Sequence, residues 1–222
     1  MPRETRPQRA RRALRIVRAL AQAYPDATCA LHFHTPFQLL VATILSAQCT
    51  DAKVNEVTRV LFRRFGTPHA LAEADPAEIE AIVRPTGFYR QKAKSILATA
   101  RELVERHAGT VPKTLEELTQ LRGVARKTAN VVLGTAFGIP GIAVDTHMTR
   151  VNQRLRLTES DDPIRIERDL MEWIPEAEWT QYTHRVIHHG RVCCTARAPR
   201  CESCPLRRDC PWPTSRAARA RS

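Results

Sequence analysis

The sequence predicts an all-α protein of about ten helices joined by short connections. Three observations predict it. Apolar residues recur at helical spacing through almost the whole chain. No segment alternates apolar and polar residues with period two over a strand's length. Threonine and aspartate stand where helices would begin, some with proline directly after them. With 222 residues, 43% of them hydrophobic, the chain can bury a core as one large or two small domains.

The elements follow in order. The start, MPRETRPQRARRALRIV, reads as a disordered basic tail running into a helix that carries Leu14, Val17, Ala21 and Tyr24. Thr35-Pro36-Phe37-Gln38 has the form of a capping box and opens an apolar run to Ser46. Asp51 can cap a helix facing inward through Val54, Val57, Leu61 and Phe65. Asp75-Pro76-Ala77-Glu78 opens another, with Ile79, Ile82 and Val83 inside. A long stripe follows at Ala93, Ile96, Leu97, Ala100, Leu103, Val104 and His107. Thr114 to Glu117 is a second capping box, before Leu115, Leu118 and Leu121. Gly123 allows a tight turn, and a helix starting near Ala125 buries Ala129, Val132, Leu133 and Ala136. Met148, Val151 and Leu155 continue the period, then Ile166, Leu170 and Trp173, then Trp179, Tyr182 and Val186. The final PTSRAARARS reads as a disordered tail.

A net charge of +12 and a pI near 10.1 point to a polyanionic partner, with nucleic acid ahead of a merely solvated basic surface. No apolar run reaches the roughly 20 residues of a spanning helix, and the arginine-rich start lacks the apolar core of a secretory signal. The expected location is cytoplasmic, where seven cysteines are not a disulfide framework. Positive charge is supplied mostly by arginine. Lys53, Lys92, Lys94, Lys113 and Lys127 are the only lysines, so each is informative.

The sharpest spacing is CTARAPRCESCPLRRDC. Cys194, Cys201, Cys204 and Cys210 are separated by six, two and five residues and could close around one metal centre. Zinc ribbons and fingers present two close pairs across a longer loop, so this spacing fits better a four-iron, four-sulfur cube, with zinc as the alternative. Cys193 reads as a spare thiol, and Cys29 and Cys49 as small apolar side chains. Arg197 and Arg200, on the loop between the first two ligands, are placed to meet phosphates; plain solubility explains them equally well.

The turn Gly123, Val124, Ala125 leads into a helix N-terminus, where free backbone N–H groups and the dipole make a phosphate site that reads no base. Lys127 falls in the first turn of that helix, where the dipole disfavours a cation and favours its neutral, nucleophilic form. Asp145, before the next helix, reads as an N-cap that is also held ionised.

Together, SAQCTD, GFYRQKA, LRGVARKTANVVLGTAFG, IAVDTH and the cysteine spacing resemble the endonuclease III family of helix-hairpin-helix, iron–sulfur DNA glycosylase/AP lyases, over nearly the whole chain. The resemblance implies two lobes: a six-helix barrel over 29–139 with the hairpin, and a cluster lobe from 1–28 plus 140–222. Lys127 and Asp145 would face each other across a basic cleft. It implies Lys127 as Schiff-base nucleophile, Asp145 as essential carboxylate and a [4Fe–4S] cluster on the four cysteines. The activity implied is excision of oxidised pyrimidines from duplex DNA with strand cutting 3′ to the site by β-elimination, in a monomeric, nucleoid-associated bacterial-type enzyme without a membrane partner. Gln48 matches the residue that fills the vacated space in the duplex, and Phe88 an apolar wedge. Ser46, Asp51 and His147 match pocket residues.

Three positions depart from the family pattern. Arg122 replaces a proline of the hairpin, Ala125 replaces a glycine, and Thr119 stands where a pocket glutamate is often found. If the Ala125 position requires a left-handed backbone, alanine costs about 1–2 kcal/mol there. The competing readings are an adenine glycosylase relative, disfavoured by Lys127, and a DNA-binding paralogue with little activity. A zinc-stapled nucleic-acid adaptor is the third.

Overall fold

The structure, a computed structural model, describes residues 4–212. Among these there is no strand, and there are eleven α-helices. They are α1 (Arg6–Ala23), α2 (Pro36–Leu45), α3 (Asp51–Phe65), α4 (Pro68–Ala72), α5 (Pro76–Val83), α6 (Tyr89–His107), α7 (Leu115–Gln120), α8 (Arg126–Phe137), α9 (Thr146–Arg154), α10 (Pro163–Trp173) and α11 (Trp179–Val192). Single 3-10 turns occupy Arg84–Thr86 and Glu176–Glu178. The chain divides into two compact units, Cys29–Ile139 and Met1–Thr28 with Pro140–Ser222.

In the unit Cys29–Ile139, α2 is apolar on every side and is buried from Leu39 to Leu45, as such a helix must be. Val54 and Leu61 of α3, Ile79 of α5, Ile96 and Leu103 of α6, and Ala129 and Val132 of α8 share its core. The other unit packs Ile16 and Leu20 of α1 with Met148 and Val151 of α9, Leu170 of α10 and Tyr182 of α11. Tyr182 is fully buried, and its hydroxyl donates to Asn152 Oδ1 at 2.5 Å, which satisfies both polar ends. Among the described residues no helix is long and apolar enough to cross a membrane.

Several local expectations are corrected. The basic start is helical from Arg6, because Gln8 Oε1 accepts from the Thr5 N–H and Arg12 is held by Glu4 and the carbonyl oxygens of Leu155 and Asp209. The inward stripe of α1 is Ala13, Ile16, Val17 and Leu20, and Leu14 faces solvent. Thr50, not Asp51, caps α3; its hydroxyl accepts from Lys53 N–H, leaving Asp51 as the first helical residue. Thr35 caps α2 as expected, yet Gln38 reaches one residue further back, to the His34 N–H. The tail PTSRAARARS lies outside the described residues.

Candidate active site and metal centre

The hairpin belongs to the unit Cys29–Ile139. Leu121 ends α7, and Val124 N–H closes the turn onto its carbonyl at 3.1 Å. Gly123 has φ +80, and a Cβ there would stand 2.8 Å from Ser95 Cβ, so only glycine fits. The turn is fastened to α6 twice: Thr99 Oγ1 donates to the Arg122 carbonyl at 2.7 Å, and Arg122 N–H donates to Glu102 Oε2 at 3.1 Å. Ala125 has φ −81 and ψ 163, ordinary extended backbone, so alanine there carries no left-handed strain. No side chain caps α8 at Ala125, whereas Thr or Asp side chains cap α2, α3, α5, α9 and α10. The side chain of Ala125 thus offers no acceptor to the amides at the head of α8. Lys127 is the second residue of α8 and is exposed.

Two other residues singled out in the sequence share an unusual backbone. Gln48 (φ 51) and Phe88 (φ 47) are non-glycine residues in the left-handed region, and both are exposed. Phe88 is 68% exposed, the most of any large hydrophobic side chain among the described residues. Strain of this kind persists where the surrounding structure imposes it, often at functional positions. Ser46 ends α2 and donates from Oγ to the Thr43 carbonyl at 2.8 Å. Thr119 bonds back to the carbonyls of Leu115 and Glu116, in its own helix.

Asp145 and His147 lie in the other unit. Asp145 is the N-cap of α9, and its Oδ1 accepts from Met148 N–H at 2.8 Å. His147 is half-buried, with Nδ1 at 3.1 Å from Arg150 Nη2. Burial lowers its pKa, Asp145 pulls it back up and Arg150 lowers it further.

Cys194, Cys201, Cys204 and Cys210 line one cavity in this same unit, with Arg154, His189 and Cys193 beside them. Burial pushes the Cys204 thiol up to about 12 and raises that of Cys210. Buried thiols of this kind become thiolates only beside a compensating cation. Donors already face the sulfurs: Arg154 Nη1 stands 3.2 Å from Cys194 Sγ, and Leu206 N–H 3.4 Å from Cys204 Sγ. The donor set, its shared cavity and these hydrogen bonds fit a metal centre.

Arg154, Arg150 and His189 were not legible as site residues. Arg154, 8% exposed, donates to the carbonyls of Thr195 and Ala196 and so holds the loop of Arg197 and Arg200, which are themselves exposed. Arg150 binds the carbonyls of Cys194 and Gly190. His189 is 1% exposed; its Nδ1 shares a 2.9 Å hydrogen bond with the Tyr24 phenol, and its Nε2 faces Cys204 Sγ at 3.7 Å. Cys193 is buried in the same cluster, its sulfur within 4.8 Å of ligand atoms of both His189 and Cys204. The one available signal was an arginine at helical spacing among Met148, Val151 and Leu155.

Comparison with known proteins agrees with this geometry. Residues 41–176 match the model of the HhH-GPD superfamily of base excision DNA repair proteins. Endonuclease III of Synechocystis is 55% identical over 201 residues, covering 90% of this chain and 92% of that protein. Endonuclease III of Bacillus subtilis is 43% identical over 188 residues, covering 84% of this chain and 86% of that protein. Among solved structures, a trapped endonuclease III–DNA covalent intermediate superposes with a TM-score of 0.89 at 44% identity, covering 94% of this chain and 98% of that one. The chain belongs to the endonuclease III family of the HhH-GPD superfamily of base excision DNA repair proteins.

Proposed function

We propose that this chain is a bifunctional DNA glycosylase/AP lyase of base excision repair, that it excises oxidised pyrimidines from duplex DNA, and that Lys127 is its nucleophile. The observation that carries the reading is the placement of Lys127: an exposed amine one residue inside an uncapped helix N-terminus, directly behind a turn whose geometry admits only glycine at position 123.

The mechanism follows from amine chemistry. The damaged nucleotide leaves the stack, because its anomeric carbon is out of reach inside the duplex. Lys127 Nζ attacks that carbon and the base departs, taking a proton. The developing positive charge on the sugar is met by the Asp145 carboxylate, held by its bond to Met148 N–H. The amine–sugar adduct opens to an imine. Loss of a C2′ proton then expels the 3′ phosphate, cutting the strand by β-elimination. Gln48 and Phe88 fill the space left in the duplex; their exposure and left-handed backbones support that role. Ser46, Asp51 and His147 are assigned to the handling of the excised base. Gly123, Val124, Ala125 and Arg122 hold phosphates, as do Arg197 and Arg200.

The cysteines 194, 201, 204 and 210 hold a [4Fe–4S] cluster in this reading; the six-two-five spacing and the N–H donors aimed at two of the sulfurs support it. The enzyme acts as a cytoplasmic monomer on nucleoid DNA. The test is end-group analysis of a labelled duplex carrying one oxidised pyrimidine. The expected product ends in a 3′ unsaturated aldehyde; a 3′ hydroxyl, or an uncut abasic strand, contradicts the mechanism.

A further inference from the structure

We propose that the outer face of α6 and Arg122 form a second binding site for the phosphodiester backbone of duplex DNA, beside the hairpin turn. The proposal rests on the reading that the hairpin turn meets DNA. A groove of about 430 Å³ opens on the unit Cys29–Ile139, lined by Arg90, Lys94, Arg101 and Arg122, with Glu80 as its one carboxylate. Four cations face one anion there.

Arg90, Lys94 and Arg101 lie four and seven residues apart along α6, so they form one stripe. Like charges at this spacing repel and destabilise a bare helix. Some exposed cations elsewhere in this chain are met by carboxylates, as Lys53 is by Glu56, Arg64 by Glu78 and Arg165 by Asp169. Among the described residues Arg90, Lys94 and Arg122 form no ion pair. Arg101 gives its Nε–H to the Ala72 carbonyl at 3.1 Å, which fixes the side chain without neutralising it. A concavity lined by one sign of charge concentrates anions at its mouth.

The position of the groove selects among anions. Arg122 belongs to the hairpin turn and lines the groove, and its backbone is bonded to Thr99 and Glu102 of α6. The stripe and the turn are therefore one continuous surface, so a strand held at the turn would lie beside the stripe. No aromatic residue lines the groove, so nothing there would stack on a nucleobase. The backbone of a duplex fits; a free nucleotide does not.

The test compares full-length protein carrying Arg90→Gln, Lys94→Gln and Arg101→Gln with a control that loses the same charge at Arg11, Arg18 and Arg63. Binding to an undamaged duplex is measured across a salt series, with thermal melts to verify folding. Every phosphate that the protein no longer neutralises lowers the slope of log affinity against log salt by about 0.9, so the groove variant is expected to lose about 2 to 3 from the slope. The control is expected to keep the wild-type slope. Equal slopes for wild type and groove variant overturn the proposal, as does an equal loss in the control, which would reduce the effect to net charge. Competition by inorganic phosphate at fixed ionic strength that vanishes only in the groove variant would mean a free-phosphate site and also overturn it. Failure of the wild type to bind DNA at all would instead sink the functional reading beneath it.

Discussion

The ammonium of Lys92, 5% exposed, donates to the Thr86 carbonyl oxygen at 2.7 Å, inside the turn that presents Phe88 to solvent. Thr86 Oγ1 in turn donates to the Val83 carbonyl at 2.8 Å, and Lys92 N–H bonds the Phe88 carbonyl at 3.1 Å. A buried lysine thus ties down both sides of a residue whose backbone is left-handed. Burial lowers its pKa, and the Thr86 carbonyl gives the ammonium a hydrogen-bond partner there.

Lys92→Met keeps the aliphatic stem and leaves the Thr86 carbonyl unmet, at a cost of about 1–3 kcal/mol in stability. With the turn loosened, base excision is expected to fall further than β-elimination at a preformed abasic site, where no base has to be levered out. Single-turnover rates on the two substrates check this; equal losses would show that Lys92 serves folding alone.

The two small residues of the hairpin turn should behave oppositely. Gly123→Ala forces a Cβ to 2.8 Å from Ser95 in a left-handed backbone, and about 1–2 kcal/mol for the backbone alone is expected, before the clash. Ala125→Gly relieves nothing, because Ala125 is already extended; it is expected to leave DNA affinity unchanged and to lower stability slightly through chain entropy. Chemical denaturation and binding isotherms on both variants decide the point.

Arg154 holds the cysteine loop through four acceptors, Cys194 Sγ and the carbonyls of Cys194, Thr195 and Ala196. Arg154→Met is expected to lower iron and sulfide per chain and the visible absorption of the purified protein, with the far-ultraviolet helix signal largely kept. Full cluster content in the variant would show that the loop closes without it.

Histidines of the unit Met1–Thr28 with Pro140–Ser222 make its stability acid-sensitive. Burial lowers the pKa of His184, and of His147 in the same way. Each is neutral in the folded state at a pH where the unfolded chain already takes up a proton. Their contribution is complete above the unfolded value of about 6.5 and is lost as pH falls below it. Melting temperatures measured between pH 7.5 and 5.5 should decline, and His184→Gln should flatten the decline.

The fold was legible wherever periodicity is set by burial. The α6 stripe from Ala93 to Leu103 is buried as read, because an amphipathic helix has no other stable way to pack. Leu14 misled, since an apolar residue among arginines looks inward from sequence while Ala13 and Ile16 take the core. Capping was legible in type and less so in position: Thr50 displaced Asp51 because its hydroxyl is the one residue back that reaches Lys53 N–H. The hairpin and the cysteine quartet could be read because their chemistry is local. Arg154, His189 and Tyr24 could not, because they act through partners 40, 15 and 165 residues away in sequence. Nothing in a sequence window distinguishes a buried arginine serving carbonyl oxygens from a solvated one.

The mechanism turns on an imine between the Lys127 amine and the damaged strand. Borohydride trapping captures that imine itself, on duplexes carrying one oxidised pyrimidine or one abasic site, with wild type and Lys127→Ala side by side. A covalent protein–DNA adduct is expected on both substrates with wild type and none with the variant, although the variant still binds DNA. An adduct of equal yield with Lys127→Ala, or none with wild type bound to either duplex, would refute the role of this lysine.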